Sequence, residues 1–126
     1  MRTITLDAGR KIGCTSDTHF GHANIISYCL RPFATPEERE AMAREGDRPK
    51  LSRETVARQN DALVAGINHV LGPEDVLIHA GDVAWRDLAT LREFRDRLVV
   101  REIYVAIGNH DVEDELVAVF GRDRAD

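Results

Sequence analysis

The chain has 126 residues, room for one domain at most. Its formal charge of −5 argues against a general affinity for nucleic-acid backbone or an anionic membrane surface. Two cysteines are too few for a disulfide scaffold, and no apolar run approaches the ~20 residues that span a bilayer, so a reducing cytoplasm is the expected compartment.

In chain order, Thr3 to Leu6 alternates weakly and suggests a short edge strand, with a hairpin turn over Asp7 to Arg10. Lys11 to Thr15 reads as the first central strand, with Cys14 as a small buried apolar residue. Ser16 to His22 forms a loop. Asn24 to Cys29 gives one or two helical turns, stopped at Arg31-Pro32. Thr35-Pro36-Glu37-Glu38 starts a charged helix that ends near Gly46: a Thr cap, Pro at the first helical position, then acids. Arg44 to Arg53 is polar and irregular, the expected mobile segment. Ser52 caps the strongest helix, with Val56, Leu63, Ile67, Val70 and Leu71 on its apolar stripe and Gly72-Pro73 as its stop. Val76 to Ala80 is the second central strand, apolar enough for burial on both faces. Asp87 caps a helix through Leu98, and Val99 to Ile107 holds the third strand. A closing helix carries Leu116, Val117, Val119 and Phe120 and stops at Gly121. The tail from Arg122 to Asp126 is expected to fray. The fold class is α/β: a β-α-β-α-β core with a parallel sheet and right-handed crossovers.

Each central strand ends in residues of metal-ligand type. The first delivers Asp17 and His19, which share a side if the chain stays extended and whose donors suit Mn, Fe, Zn or Ni. The second ends in Gly81-Asp82, which also fits a helix cap. The third ends in Gly108-Asn109-His110-Asp111. Open α/β sheets place ligands at this end of their strands. No Gly-x-Gly-x-x-Gly or Walker-type loop follows any strand, which disfavours a nucleotide-binding module.

The ordered set Asp-x-His, Gly-Asp, Gly-Asn-His-Asp resembles the calcineurin-like metallophosphoesterases over Ile12 to Asp111. The string from Ser16 to Ile26 (Ser-Asp-Thr-His-Phe-Gly-His-Ala-Asn-Ile-Ile), followed by Arg31-Pro32-Phe33, resembles a compact bacterial and phage branch of that family. The resemblance implies the N-terminal half of an αββα sandwich. It also implies metal-dependent hydrolysis of phosphate mono- or diesters at a dinuclear site of Mn, Ni, Fe or Zn. Asp17 and His19 would take one ion, Asp82 would bridge, and Asn109 would take the second. His110 would stabilise or protonate the leaving oxygen, and Asp111 would orient His110. Asn109, His110 and His22 are the substrate-binding candidates. For His22 and Asn24 a packed or loop-bridging role stands equally open.

Other residues keep bland readings. His69 and His79 are structural, with His79 bonded to backbone. Trp85 and Arg86 line the pocket mouth, or Trp85 covers the core. Arg31 to Phe33 and the helix after it form a lid, or the helix is a solvated charged one. The family continues with a further His and a Gly-His-x-His turn, whereas no His follows His110 here. Residues 1–126 are therefore expected to be one incomplete domain whose bare sheet face drives self-association. A non-catalytic metal-binding or assembly fragment is the alternative.

Overall fold

Three four-residue strands pair side by side: β1 (Ile12–Thr15), β2 (Val76–His79) and β3 (Glu102–Val105). Their order is β1-β2-β3 and both pairings are parallel, with Thr15 opposite His79 and His79 opposite Val105. The structure is a computed structural model that describes residues 3–45, 50–85, 87–121 and 124–125. The expected helix end at Gly46, the centre of the irregular Arg44 to Arg53 segment, Arg86, and Arg122, Asp123 and Asp126 of the tail lie outside the described residues.

Among the described residues, five helices complete the α/β fold: α1 (Ala23–Tyr28), α2 (Pro36–Glu45), α3 (Arg53–Val70), α4 (Leu88–Arg97) and α5 (Glu113–Phe120). Local chemistry sets their starts. Thr35 and Glu38 form a reciprocal box at α2: Glu38 N–H donates to Thr35 Oγ1 at 3.1 Å and Thr35 N–H to Glu38 Oε1 at 3.2 Å. Thr55 N–H donates to Ser52 Oγ at α3, and Thr90 N–H to Asp87 Oδ1 at α4.

Both β-α-β crossovers step in the same direction, so right-handed connections put α3 and α4 on one side of the sheet. That side holds the core. Leu77, Ile103 and Val105 meet Val64, Leu71, Leu91, Phe94, Leu116 and Phe120. Each such side chain contributes roughly 1.5–3 kcal/mol when fully buried. A smaller cluster of Ile26, Ala34 and Leu51 ties α1 and α2 to α3.

The opposite sheet face explains one correction. Ile12 is 55% exposed and Cys14 is exposed, not buried as a small core residue. Strand alternation turns both away from the helices, beside Ile78 and Tyr104 in register. Thr3 to Leu6 forms no strand; its alternation covers too few residues to specify a partner. The third strand is shorter than the apolar run: Val99 is 45% exposed and stays outside it. Val70, expected on the buried stripe of α3, is 56% exposed, and the polar Thr55 and Gln59 are buried instead.

Candidate metal centre

The loops after β1 and β2 are stitched together by backbone. Asp17 N–H donates to Gly81 O (3.0 Å), His19 N–H to Asp82 O (3.1 Å) and Phe20 N–H to Val83 O (3.0 Å). The stitching extends the β1-β2 ladder past the strands and brings Asp17 and His19 beside Asp82. The extended geometry expected for the Asp17-x-His19 pair is not what does this. Asp17, His19 and Asp82 all lie in left-handed backbone, at φ 52, 48 and 54. Asp and His tolerate that region better than most residues, and strain of this kind persists only where the surroundings hold it.

One donor atom from each of Asp17, His19 and Asp82 lies within 4.8 Å of the other two. His19 Nε2 is 4.0 Å from Asp17 Oδ1 and 3.9 Å from Asp82 Oδ2, too far for hydrogen bonds. Donors that share an ion at about 2.0–2.2 Å stand up to about 4 Å apart. Two carboxylates and an imidazole are the right chemistry for one divalent ion of the Mn, Fe, Ni or Zn type. Burial pushes the His19 imidazole below its ordinary range; Asp82 and Asp17 oppose this, while Arg31 and His110 add to it. The net shift favours the neutral ring, the form that coordinates a metal. Asp82 and His19 are buried and Asp17 is exposed, so the cluster opens toward solvent on the Asp17 side.

The loop after β3 docks against Asp82. His110 N–H donates to Asp82 Oδ1 at 2.9 Å. The Asp111 carboxylate accepts from Asp82 N–H (2.7 Å), Gly108 N–H (2.8 Å) and Val83 N–H (3.0 Å). Asp111 thus acts on the backbone of two loops, and its hydrogen bonds do not run to the His110 ring as expected. The glycines permit the approach. A Cβ on Gly81, at φ 104, would stand 2.7 Å from Gly108 N, and one on Gly108 would run into the Asp82 carboxylate. Asn109 and His110 are exposed on this loop, with the His110 ring centroid 5.6 Å from that of His19. A narrow cleft, with room for little more than a water molecule, runs from His110 and Asp111 to Asp87 and Glu115.

Behind the donors, His79 is 1% exposed. Its Nδ1 accepts from Gly81 N–H at 3.1 Å, so the proton is on Nε2, which donates to Thr18 Oγ1 at 2.9 Å. Thr18 then donates to Val83 O at 2.7 Å. This is the backbone-bonded, structural role expected of His79. His69 is exposed on α3. His22 is 5% exposed and stacks on half-buried Trp85, with centroids 3.8 Å apart and planes 3° from parallel. Its Nδ1 is 3.3 Å from His19 Nδ1, on the side of the ring away from the carboxylates. There His22 contacts His19 directly and is as buried as it is. Two further participants lie outside the expected ligand set: Arg31, from the Arg31-Pro32-Phe33 string, and Gln59, which carries no motif signal, hydrogen-bond to the Asp17 to His22 loop from outside it.

A family model described as calcineurin-like phosphoesterase matches residues 10–125. An uncharacterized protein of Methanocaldococcus jannaschii, MJ1445, is 35% identical over 104 residues, covering 81% of this chain and 47% of the relative. The crystal structure of AQ665, a protein of unknown function from Aquifex aeolicus, superposes with a TM-score of 0.51 at 24% identity, over 88% of this chain and 48% of that one. The chain therefore spans about half the length of the proteins it matches. Among the described residues, no helix is long and apolar enough to cross a membrane.

Proposed function

Because the chain belongs to the calcineurin-like phosphoesterase family, we propose that it hydrolyses phosphate mono- or diesters with the help of divalent metal held by Asp17, His19 and Asp82. The observation that carries this is the convergence of those three donors from two loops around a gap of ionic size. Bound metal would supply Lewis-acid charge to the phosphoryl oxygens. Family resemblance adds a second ion shared by Asp82 and taken by Asn109, whose exposed amide is on the adjoining loop. His110, exposed beside the open edge of the cluster, would face the leaving oxygen and hand it a proton. Asp111 would fix His110 through the peptide backbone it grips. Substrate would approach over Asp17, the exposed donor, with its leaving group toward His110. A cytoplasmic location belongs to the same proposal.

The test is turnover of an aryl phosphate monoester and diester by protein reconstituted with Mn²⁺ or Ni²⁺. Hydrolysis of either is expected, falling roughly 100-fold or more in Asp82→Asn and in His110→Ala. Turnover of neither ester would remove the enzyme reading.

One observation favours a second reading, a metal-binding or assembly fragment. Ile12 and Cys14 stand exposed on the sheet face that none of the described helices covers. Light scattering over a dilution series separates the two. Self-association that disappears in Ile12→Lys supports an assembly role, and a monomer throughout removes it.

A further inference from the structure

Arg31, the first residue of the Arg31-Pro32-Phe33 string, enters the site through a turn. It follows α1 in a Schellman arrangement, with Leu30 N–H donating to Ser27 O at 3.3 Å and Arg31 N–H to Ile26 O at 2.9 Å. Leu30 occupies the left-handed position of that turn at φ 51, where glycine is the usual residue, and is 78% exposed. The reversal sends the Arg31 side chain back across the Ser16 to His22 loop. Its Nη2 donates to Asp17 O at 2.6 Å, and its Nη1 donates both to Thr18 O and to Gln59 Oε1 at 2.9 Å. Gln59 is fully buried on α3, so the fork is anchored on a rigid element.

The two gripped carbonyls belong to the peptide units between Asp17 and His19. Fixing those units fixes the directions in which both side chains leave the backbone. Asp17 and His19 are the two residues of this loop held in left-handed conformation without being glycine. A planar guanidinium satisfies two carbonyls and an amide oxygen at once; a lysine ammonium on a flexible stem does not reproduce that geometry. On electrostatic grounds a cation at this spot works against metal binding, and its charge is felt at His19. Its grip on the two carbonyls is a reason for a cation to stand there despite that repulsion.

We propose, on the reading that Asp17, His19 and Asp82 bind a divalent ion, that Arg31 is a positioning residue for that ion: its guanidinium clamps the Asp17 and Thr18 carbonyls and so aims Asp17 and His19 at Asp82. Clamping and charge make opposite forecasts for the same variant. Loss of a positive charge alone would tighten metal binding, whereas loss of the clamp would weaken it.

The experiment is Mn²⁺ titration of the full chain, followed by the paramagnetic resonance signal of free Mn²⁺, on wild type, Arg31→Ala and Arg31→Lys, with circular dichroism of each metal-free protein. Affinity is expected to fall about 10–100-fold in Arg31→Ala, the range typical of residues that orient metal ligands. Arg31→Lys should recover only part of it. Low, non-denaturing guanidinium chloride should restore binding to Arg31→Ala where equal sodium chloride does not. If Arg31→Ala fails to fold, Arg31→Lys decides, because it keeps the stem and the charge. Folded variants that bind Mn²⁺ as tightly as wild type, or more tightly, would overturn the clamp while leaving the metal site intact. So would a loss in Arg31→Ala that guanidinium leaves unchanged. A wild type that binds no Mn²⁺ would instead overturn the metal reading itself.

Discussion

Acidification from neutral pH should cost the metal-free protein about 3 kcal/mol through His79 alone. The ring is buried and its pKa is lowered to about 4, mainly by burial; the charges of Asp111, Asp17 and Asp82 pull the other way and His19 adds to the depression. Geometry gives the same answer. Nδ1 already accepts the Gly81 N–H, so a second ring proton would meet a donor. An unfolded histidine titrates near 6.5, and a gap of roughly 2.5 units at about 1.4 kcal/mol per unit gives that ~3 kcal/mol. The sign follows from which state takes the proton first. The folded pKa is depressed, so the unfolded chain protonates first. The contribution is fully present above about pH 6.5, is lost as the pH falls toward 4, and changes no further below that. Urea unfolding in steps from about pH 7.5 to about pH 4.5 measures it, on wild type and His79→Asn. The variant should be less stable at neutral pH and should lack this part of the slope. Parallel pH profiles, or a His79 ring that titrates near 6.5 in the folded protein by NMR, would refute the reasoning.

Two substitutions probe how the loops are held. Gly108→Ala drives a Cβ into the Asp82 carboxylate and to 2.6 Å from Asp82 N; it should cost about 1–3 kcal/mol in thermal unfolding and lower Mn²⁺ affinity as well. Asp111→Asn replaces one of two oxygens that together accept three amide N–H groups by a donor; a loss of about 1–3 kcal/mol in urea unfolding is expected at neutral pH.

The parts of this molecule that a sequence reader can find are the local ones. Apolar tetrapeptides followed by Asp17, Asp82 and Asn109 announce the strands and the end of the sheet where chemistry gathers. Thr35, Ser52 and Asp87 announce helix starts because a cap acts within three residues. What stayed hidden depends on partners far away in the chain. Cys14 is exposed because both crossovers stack their helices on one face, which a four-residue strand cannot encode. His22 is a motif residue, yet it stacks on Trp85, which comes only after β2 in the chain. Asp111 looked like a partner for the neighbouring imidazole, but its carboxylate answers to amides nearly thirty residues away. Arg31 reaches Asp17 because Leu30 adopts a backbone conformation that glycine would have advertised and leucine does not. In each case residue type was legible and direction was not.

Anomalous scattering from crystals of this chain soaked in Mn²⁺ addresses the metal site most directly. The expected result is a peak within about 2.0–2.4 Å of a carboxylate oxygen of Asp17, of His19 Nε2 and of a carboxylate oxygen of Asp82. A peak elsewhere, or none at those three side chains, would contradict it.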